Sequence, residues 1–241
     1  MSKDKFIYIF KTGSTFPHIK KKWGDFDDFV IREAGLNRKQ VNLIENFESE
    51  YFEEIDQASG VIITGSHDNV TDKKAWMENL AGWIRQIAHQ NIPILGICFG
   101  HQLLAHAFGG EINFNPRGIE IGTVTIQLNT NTGNDLLFNN LQEEFPGHVS
   151  HKQSIIELPD NVTVLGSSNI EPSQAVCFKK DLIWGLQFHP EFNADITRLY
   201  AQAQKETIIK DNKDFKRICE SVIENKFGNL ILESFVVICK R

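Results

Sequence analysis

The sequence of 241 residues has few cysteines, no long apolar run and no block of like charge. Its four cysteines lie far apart and form no C-x-x-C pair, which argues against a zinc site and against a disulfide framework. The opening MSKDKFIYIF carries an apolar run too short for a signal peptide, and no segment reaches the length of a membrane span. We expect a cytoplasmic protein that has no membrane partner.

The charge distribution argues against a nucleic-acid partner, and the histidine spacing argues against a metal site. A total of 25 Lys and Arg against 31 Asp and Glu gives a net charge of −6, too evenly spread to indicate a nucleic-acid partner. His148 and His151, joined by His101 or His106, offer metal-binding side chains. However, the first pair lies outside any clear helix and has no carboxylate at ligand spacing. We expect no metal and no cofactor, and histidines with structural or substrate-pocket roles.

The first hundred residues alternate short apolar runs with helical patterns, which predicts βαβ units and a parallel sheet with helices on both faces. The predicted strands here are 6–10, 40–45, 61–65 and 92–97, and the predicted helices are 27–35 and 72–90. Thr71 or Asp72 would cap the second helix. Later strands, some of them antiparallel, are predicted at 118–128, 162–168, 174–180 and 181–188.

Helical patterns return at 194–227 and in the final NLILESFVVICKR. There is no internal repeat, low-complexity segment or linker. The sequence therefore predicts one α/β domain over residues 1–241. It would have a mostly parallel central sheet with helices on both faces and an additional small antiparallel sheet.

The stretch LGICFGHQLL (95–104) places Cys98 between Gly96 and Gly100. A buried-strand run precedes it, and a helical pattern follows it up to Gly109 and Gly110. Glycines two before and two after the central residue are what a strand–nucleophile–helix elbow requires, because strand and helix cross closely there. The same spacing suits a small apolar residue buried in a turn. On this stretch alone, both interpretations of Cys98 stay open.

A nucleophile at such an elbow would sit at a helix N-terminus, where partial positive charge favours a thiolate. The N–H of the next residue, Phe99, would form half of an oxyanion hole. A second donor usually comes from the loop after a neighbouring strand, and VIITGSHDNV supplies one with Gly65 and Ser66.

The segment LIWGLQFHPEF (182–192) ends a predicted strand in His189, Pro190 and Glu191. Proline favours an extended conformation for the residue before it, so the side chains of His189 and Glu191 should project to one side. A cysteine nucleophile needs a base, and a carboxylate that fixes the imidazole improves that base. The segment favours a catalytic Cys98, if the fold brings the three side chains together.

GICFGHQ (96–102) and QFHPEF (187–192) together resemble the class I glutamine amidotransferases, which use a cysteine in G-x-C-x-G-x-Q and a downstream H-P-E. VIITGSHDNV resembles the oxyanion loop of that family, and HVSHKQSI (148–155) resembles its glutamine-binding segment. The combination is most similar to the amidotransferase domain of GMP synthase and its stand-alone relatives. The resemblance implies a flavodoxin-like architecture, with a catalytic core at about 5–192 and C-terminal helices at about 194–241.

The resemblance also implies roles for individual residues. Cys98 would be the nucleophile, His189 the general base and acid, and Glu191 the carboxylate that orients it. The implied oxyanion donors are Gly65, Ser66 and Phe99. The amino-acid end of the substrate is implied to bind Gln102 and the backbone of Val149, Ser150 and His151. The reaction would be hydrolysis of a γ-glutamyl amide through a cysteine thioester.

Two features depart from the family pattern. Many relatives have two glycines and a proline where this chain has Gly65, Ser66 and His67. No phosphate-loop motif G-x-x-x-x-G-K-S/T occurs, and the residues after the H-P-E segment are too few for a synthetase domain. Three hypotheses follow: a glutaminase that serves a separate synthetase chain, an autonomous γ-glutamyl peptidase or hydrolase, and a non-catalytic binding module.

We predict structural roles for the other three cysteines and for a run of three lysines. Cys177, Cys219 and Cys239 lie among apolar neighbours and are predicted to be core thiols. The Lys20–Lys22 run is predicted to be a solvated loop.

Overall fold

The computed structural model describes residues 5–45, 55, 58–129, 132, 135–178 and 182–241. The strands in this part of the chain are β1 (Phe6–Phe10), β2 (Val41–Ile44), β3 (Ala58–Ile63), β4 (Ile94–Ile97), β5 (Glu111–Phe114), β6 (Glu120–Leu128), β7 (Glu144–His151), β8 (Gln153–Glu157), β9 (Thr163–Ser167), β10 (Ala175–Phe178) and β11 (Ile183–Leu186). The α-helices are α1 (Pro17–Trp23), α2 (Phe26–Glu33), α3 (Ala75–Ile87), α4 (Phe99–Ala107), α5 (Ala194–Ala203), α6 (Lys205–Lys210), α7 (Phe215–Ser221) and α8 (Phe227–Cys239). Predictions for residues 179–181 lie outside the described residues.

Nine of these strands form one sheet in the order β2-β1-β3-β4-β11-β10-β9-β6-β7. The pairings from β2 to β11 are parallel, and those from β11 to β7 are antiparallel. It follows that β10 and β6 run against the other seven strands, so the sheet is mostly parallel, as predicted. The smaller sheet pairs β5 with β8 in antiparallel fashion, which confirms the additional sheet.

Side chains alternate between two buried layers along the central strands. On β1, Ile7 and Ile9 pack on the face that α2 and α8 cover, whereas Tyr8 and Phe10 pack on the face of α3 and α4. This alternation is the two-residue period of a strand buried on both sides. The helices therefore cover both faces of the sheet, as the sequence predicts.

The second predicted helix starts later than expected. Neither Thr71 nor Asp72 caps it, because Val70–Asp72 is a short 3-10 turn and α3 begins at Ala75. Lys73 lies between them with a left-handed φ of 46°, which interrupts a continuous helix. The final predicted helix is confirmed as α8.

Two structural roles inferred from the sequence are wrong. Cys219 is half-exposed on α7, because that helix lies at the surface beside β6 and has no buried residue. The Lys20–Lys22 run belongs to the helix α1, which Pro17 starts at a position where a missing N–H is harmless. Within the described part of the chain, no helix is long and apolar enough to cross a membrane.

Helix and sheet backbones approach each other very closely at the start of α4. A Cβ atom on Gly96 would come within 2.5 Å of the carbonyl oxygen of Gly100. A Cβ atom on Gly100 would come within 2.3 Å of the carbonyl oxygen of Ile63. Backbone therefore packs directly against backbone where β4 turns into α4, and no side chain larger than hydrogen fits between them.

We expect Gly100→Ala to lower the free energy of unfolding by about 2 kcal/mol or more, because the added methyl group must push α4 away from β3. Gly82→Ala is the matched control, since Gly82 also lies in a helix and its added Cβ would meet nothing closer than an Arg85 nitrogen at 3.7 Å. That control should gain about 0.5–1 kcal/mol. Urea titrations of the two variants provide the measurement, and equal midpoints would contradict the close packing.

Candidate active site

Cys98 stands alone between the end of β4 and the start of α4. Its backbone angles are φ 52° and ψ −100°, outside the regions that residues with a side chain normally occupy. The surrounding chain fixes this conformation, because the N–H of Cys98 donates to the carbonyl of Leu186 at 2.7 Å and its carbonyl accepts from Gln102 N at 3.1 Å. Such a conformation costs about 1–3 kcal/mol and recurs at functional sites. The turn predicted from LGICFGHQLL is therefore present and strained.

His189 and Glu191 form a buried pair beside this turn. The Nδ1 atom of His189 lies 2.7 Å from Oε1 of Glu191, and both side chains are almost completely buried. The His189 ring stacks on Phe192, with centroids 4.0 Å apart and an interplanar angle of 13°. Its backbone N–H donates to the carbonyl of His148 at 2.7 Å. The imidazole is thus held by a carboxylate at one edge and by an aromatic ring on one face.

The electrostatics connect His189 to both Cys98 and Glu191. Burial alone would lower the pKa of His189, because it disfavours the charged imidazolium. The negative charges of Glu191 and Cys98, and the hydrogen bonds to both side chains, outweigh burial and raise the pKa of His189 to about 10. The structure therefore brings together the three side chains that the sequence singled out.

Gly65 lies behind this group at the end of β3. A Cβ atom at this position would approach Cε1 of His189 to 3.2 Å and Cβ of Cys98 to 3.8 Å. The carbonyl of Gly65 accepts the hydroxyl of Thr12 at 3.1 Å and that of Thr64 at 3.1 Å, which fixes the peptide between Gly65 and Ser66. These hydrogen bonds anchor the loop to the sheet, and Gly65 packs directly against Cys98 and His189.

A cavity of about 330 Å³ opens over Cys98 and His189. Its volume lies in the range of ~300–1,000 Å³ that is typical of small-molecule sites. The residues that line it are Phe16, Phe26, Ser66, His67, Asp68, Asn69, Cys98, Phe99, Gln102, Ser150, His151, Lys152, Gln153, His189, Tyr200, Ala203, Gln204 and Thr207. Of the predicted oxyanion donors, Ser66 and Phe99 lie in this lining, while Gly65 lies just behind it. Phe99 opens α4, so its N–H has no carbonyl partner within the helix.

Of the four residues predicted to bind the amino-acid end of the substrate, three line the cavity and one lies in the core. Gln102 lines the cavity, but its side-chain N–H groups already donate to the carbonyl of Gln153 at 3.0 Å and to Oε1 of Gln187 at 2.8 Å. Ser150 and His151 also line it, whereas Val149 packs into the apolar core. Gln102 can therefore offer a substrate only its carbonyl oxygen.

The side chain of His151 belongs to a second buried pair. Its Nε2 atom lies 2.9 Å from Oε2 of Glu120, the residue opposite it in the β6–β7 ladder, and its Nδ1 atom lies 3.0 Å from the carbonyl of Gln153. A carbonyl only accepts, so Nδ1 carries a proton. Burial opposes charge on His151, but the hydrogen bond and charge of Glu120 outweigh it and raise the pKa of His151.

The other histidines considered as metal ligands have separate surroundings. His106 contacts Glu78, and His148 contacts Thr123 and Asn225. Burial lowers the pKa of His101 to about 3 and that of His148 to about 4. The described residues contain no group of three or more side chains arranged to hold a metal ion.

Comparison with known proteins agrees with the motifs and the fold. Residues 26–202, well over half of the chain, match the family model for glutamine amidotransferase class-I. The chain belongs to this family. Gamma-glutamyl peptidase 4 of Arabidopsis thaliana is 26% identical over 96% of this chain and 100% of its own length. A glutamine-hydrolyzing GMP synthase subunit of Methanococcus vannielii is 34% identical over 67% of this chain and 78% of its own length.

Solved structures agree on the architecture. A glutamine amidotransferase from Thermotoga maritima superposes with a TM-score of 0.75 and 21% identity, over 99% of this chain and 100% of that structure. This likeness confirms the class-I amidotransferase fold that the resemblance implied.

The cavity of this class-I amidotransferase chain contains an aromatic group that the sequence did not predict. Phe16, Phe26, His67 and Tyr200 surround the mouth next to His189. The Tyr200 hydroxyl contacts Thr15 Oγ1 at 2.7 Å and His67 Nε2 at 3.4 Å. The sequence signal for this group was His67, at which the predicted oxyanion loop departs from the family pattern. Tyr200 gave no signal, because it looks like any apolar position of an amphipathic helix.

We expect the His189 imidazole to titrate near pH 10 in the unaltered chain. Cys98→Ala and Glu191→Gln each remove negative charge while burial remains, so each should lower the pKa of His189 by about 1–3 units. NMR titration of the histidine Cε1 signal measures this directly. Cys177→Ala, a buried thiol outside the cavity lining, is the control. An unchanged pKa in Cys98→Ala would contradict the contact between the two side chains.

The pair of His151 and Glu120 gives the fold a pH dependence. The folded-state pKa of His151 is raised above the ordinary value of 6.5. Its contribution is therefore fully present below pH 6.5 and is lost as the pH rises through the folded-state pKa. We expect His151→Gln to cost about 3 kcal/mol of unfolding free energy at pH 6 and less at pH 9. The double variant with Glu120→Gln should lose less than the sum of the single variants, and equal losses at both pH values would contradict the pairing.

Proposed function

We propose that this chain hydrolyses a γ-glutamyl amide through a thioester on Cys98. The observation that carries the proposal is the strained Cys98 turn facing the buried His189–Glu191 pair at the floor of the cavity. A non-catalytic binding protein would have no use for a backbone strain of this size beside a charged imidazole. Family membership supports the same chemistry, because glutamine hydrolysis and γ-glutamyl peptidase activity appear in the names of relatives.

In the first step, the Cys98 thiolate attacks the side-chain carbonyl carbon of the γ-glutamyl group. The carbonyl π electrons move to oxygen and form a tetrahedral oxyanion. The N–H of Phe99 and an N–H of the Gly65–Ser66 loop would stabilise this charge. The imidazolium of His189 then gives its Nε2 proton to the leaving nitrogen, the C–N bond breaks, and ammonia or an amine departs.

In the second step, neutral His189 accepts a proton from water, which attacks the thioester carbonyl. The C–S bond breaks, glutamate is released, and the thiolate–imidazolium pair is restored. Glu191 holds Nδ1 of His189 throughout, so that Nε2 faces the reacting atoms. No cofactor takes part in this cycle, and a reactive thiol suits a reducing compartment such as the cytoplasm.

Two uses of the released nitrogen fit this site. The relative named as a GMP synthase subunit suggests a glutaminase that passes ammonia to a separate synthetase chain. The relative named as a gamma-glutamyl peptidase aligns with almost the whole chain and suggests an enzyme that acts alone on γ-glutamyl peptides or conjugates. Both uses share the acyl half of the substrate and the proposed triad.

We expect the chloromethyl ketone analogue of glutamine to add once to the native chain, on Cys98, because it places a reactive carbon where the amide carbonyl would lie. Intact mass and peptide mapping measure the adduct. Cys98→Ala should abolish it and should lower kcat for glutamine or γ-glutamyl peptide hydrolysis by at least about 10³-fold. Cys219→Ala, which removes the half-exposed thiol of α7, should retain both properties. An adduct that persists in Cys98→Ala would contradict the assignment.

A further inference from the structure

The position of His189 defines the side of the cavity from which the leaving group departs. On the proposed mechanism His189 protonates the leaving nitrogen, so that nitrogen must lie next to its ring. From this ring an aromatic series continues towards the cavity mouth. His189 stacks on Phe192 at 4.0 Å, Phe192 contacts Tyr200 at 4.7 Å, and Tyr200 contacts Phe16 at 5.2 Å. Phe16, His67 and Tyr200 also line the same cavity as His189, and His67 lies near enough to His189 to feel its charge. On the proposed mechanism these side chains therefore border the leaving group.

Three rings at the mouth form what we call the aromatic wall: Phe16, His67 and Tyr200. The centroids of Phe16 and His67 lie 4.4 Å apart, and those of His67 and Tyr200 lie 5.9 Å apart. Tyr200 is buried, whereas Phe16 is half-buried and His67 is exposed, so the wall presents ring surface to the cavity. Ammonia has no apolar surface and gains nothing from such a wall. An amine with an apolar or aromatic substituent would gain binding free energy by covering it.

Lys152 adds a positive charge to the same mouth. It is exposed, lines the cavity and lies near enough to His67 to act on it electrostatically. Two other exposed lysines, Lys20 and Lys74, are engaged, since Lys20 pairs with Asp25 at 2.8 Å and Lys74 pairs with Asp68 at 2.7 Å. Among the described residues, no carboxylate lies within ion-pair distance of Lys152. Its charge disfavours a cationic amine and favours a leaving group that carries a carboxylate.

We propose that the substrates are γ-glutamyl dipeptides whose C-terminal residue is aromatic or large and apolar. The side chain of that residue would lie against the aromatic wall, and its carboxylate would pair with Lys152. This inference rests on the proposed hydrolysis of γ-glutamyl amides and adds the chemical class of the leaving group. It favours an enzyme that acts alone, because a leaving amino acid of this size occupies the mouth.

The test compares four substrates on the unaltered full chain. They are γ-glutamyl-phenylalanine, γ-glutamyl-glycine without the ring, the γ-glutamyl amide of phenethylamine without the carboxylate, and glutamine without either group. We expect kcat/KM for γ-glutamyl-phenylalanine to exceed that for each of the two single-deletion substrates by about tenfold, and that for glutamine by more. All four substrates release glutamate, so amino-acid analysis of glutamate measures every rate with the same assay.

Two variants assign the preferences to residues. Phe16→Ala should remove most of the preference for phenylalanine over glycine, because it removes one face of the wall. Lys152→Gln should remove most of the preference for γ-glutamyl-phenylalanine over the phenethylamide. The matched control is Lys39→Gln, an exposed lysine outside the cavity lining, which should keep both ratios. The ratio of kcat/KM for two substrates does not depend on how much of a variant is folded. The comparison of the four substrates on the unaltered chain needs no variant at all.

The outcomes separate this inference from the proposed function. Hydrolysis of glutamine or γ-glutamyl-glycine at least as fast as γ-glutamyl-phenylalanine would overturn the inference and leave the proposed function standing. Retention of both ratios in Phe16→Ala and Lys152→Gln would overturn the assignment to the wall and to Lys152. Absence of hydrolysis of all four substrates, with no adduct on Cys98, would overturn both.

Discussion

The backbone contact between α4 and the sheet is the constraint on which the site depends. Gly96 and Gly100 let the helix start against β3 and β4 with no side chain between them. The chain must therefore reverse within the single residue Cys98, whose φ of 52° is the result. The free energy that holds this strained residue comes from the buried layers on both sides of the sheet. In this way, apolar packing far from the cavity determines where the thiol lies.

Two buried carboxylates then set the charges around that thiol. Glu191 holds His189, and Glu120 holds His151, which lines the same cavity as Ser150 and Gln102. In both pairs burial opposes the charged imidazole, and the neighbouring carboxylate outweighs it. The carbonyl of Gln153 accepts from both His151 and Gln102, so it connects β7 to the elbow helix. In both pairs a direct contact with a buried carboxylate raises the pKa of the imidazole.

The parts of the site that are local in sequence could be predicted, and the parts that depend on distant contacts could not. The elbow and the His189–Glu191 pair each occupy a few consecutive residues whose spacing has a direct geometric meaning. The contact between Thr15 and Tyr200 joins residues 185 positions apart, and nothing local in either segment indicates it. The pair of Glu120 and His151 depends on the β6–β7 register, which the sequence does not specify. The prediction that Cys219 is a core thiol is wrong for a related reason. A helical pattern does not show which helices stay at the surface.

The loop after β3 joins the two halves of the proposed chemistry. Thr12 and Thr64 fix the carbonyl of Gly65, and this orients the peptide whose N–H would face the oxyanion. Two residues later, the same loop presents His67 to Phe16 and Tyr200. His67 supplies an imidazole ring to the aromatic wall, which a residue without a ring could not do. On the proposed mechanism, a substitution at position 67 would therefore change the surface that the leaving group meets, while the hydrogen bonds that fix Gly65 stay in place. On the proposed mechanism, one fold can thus keep the acyl side of the site constant and vary the surface that the leaving amine meets.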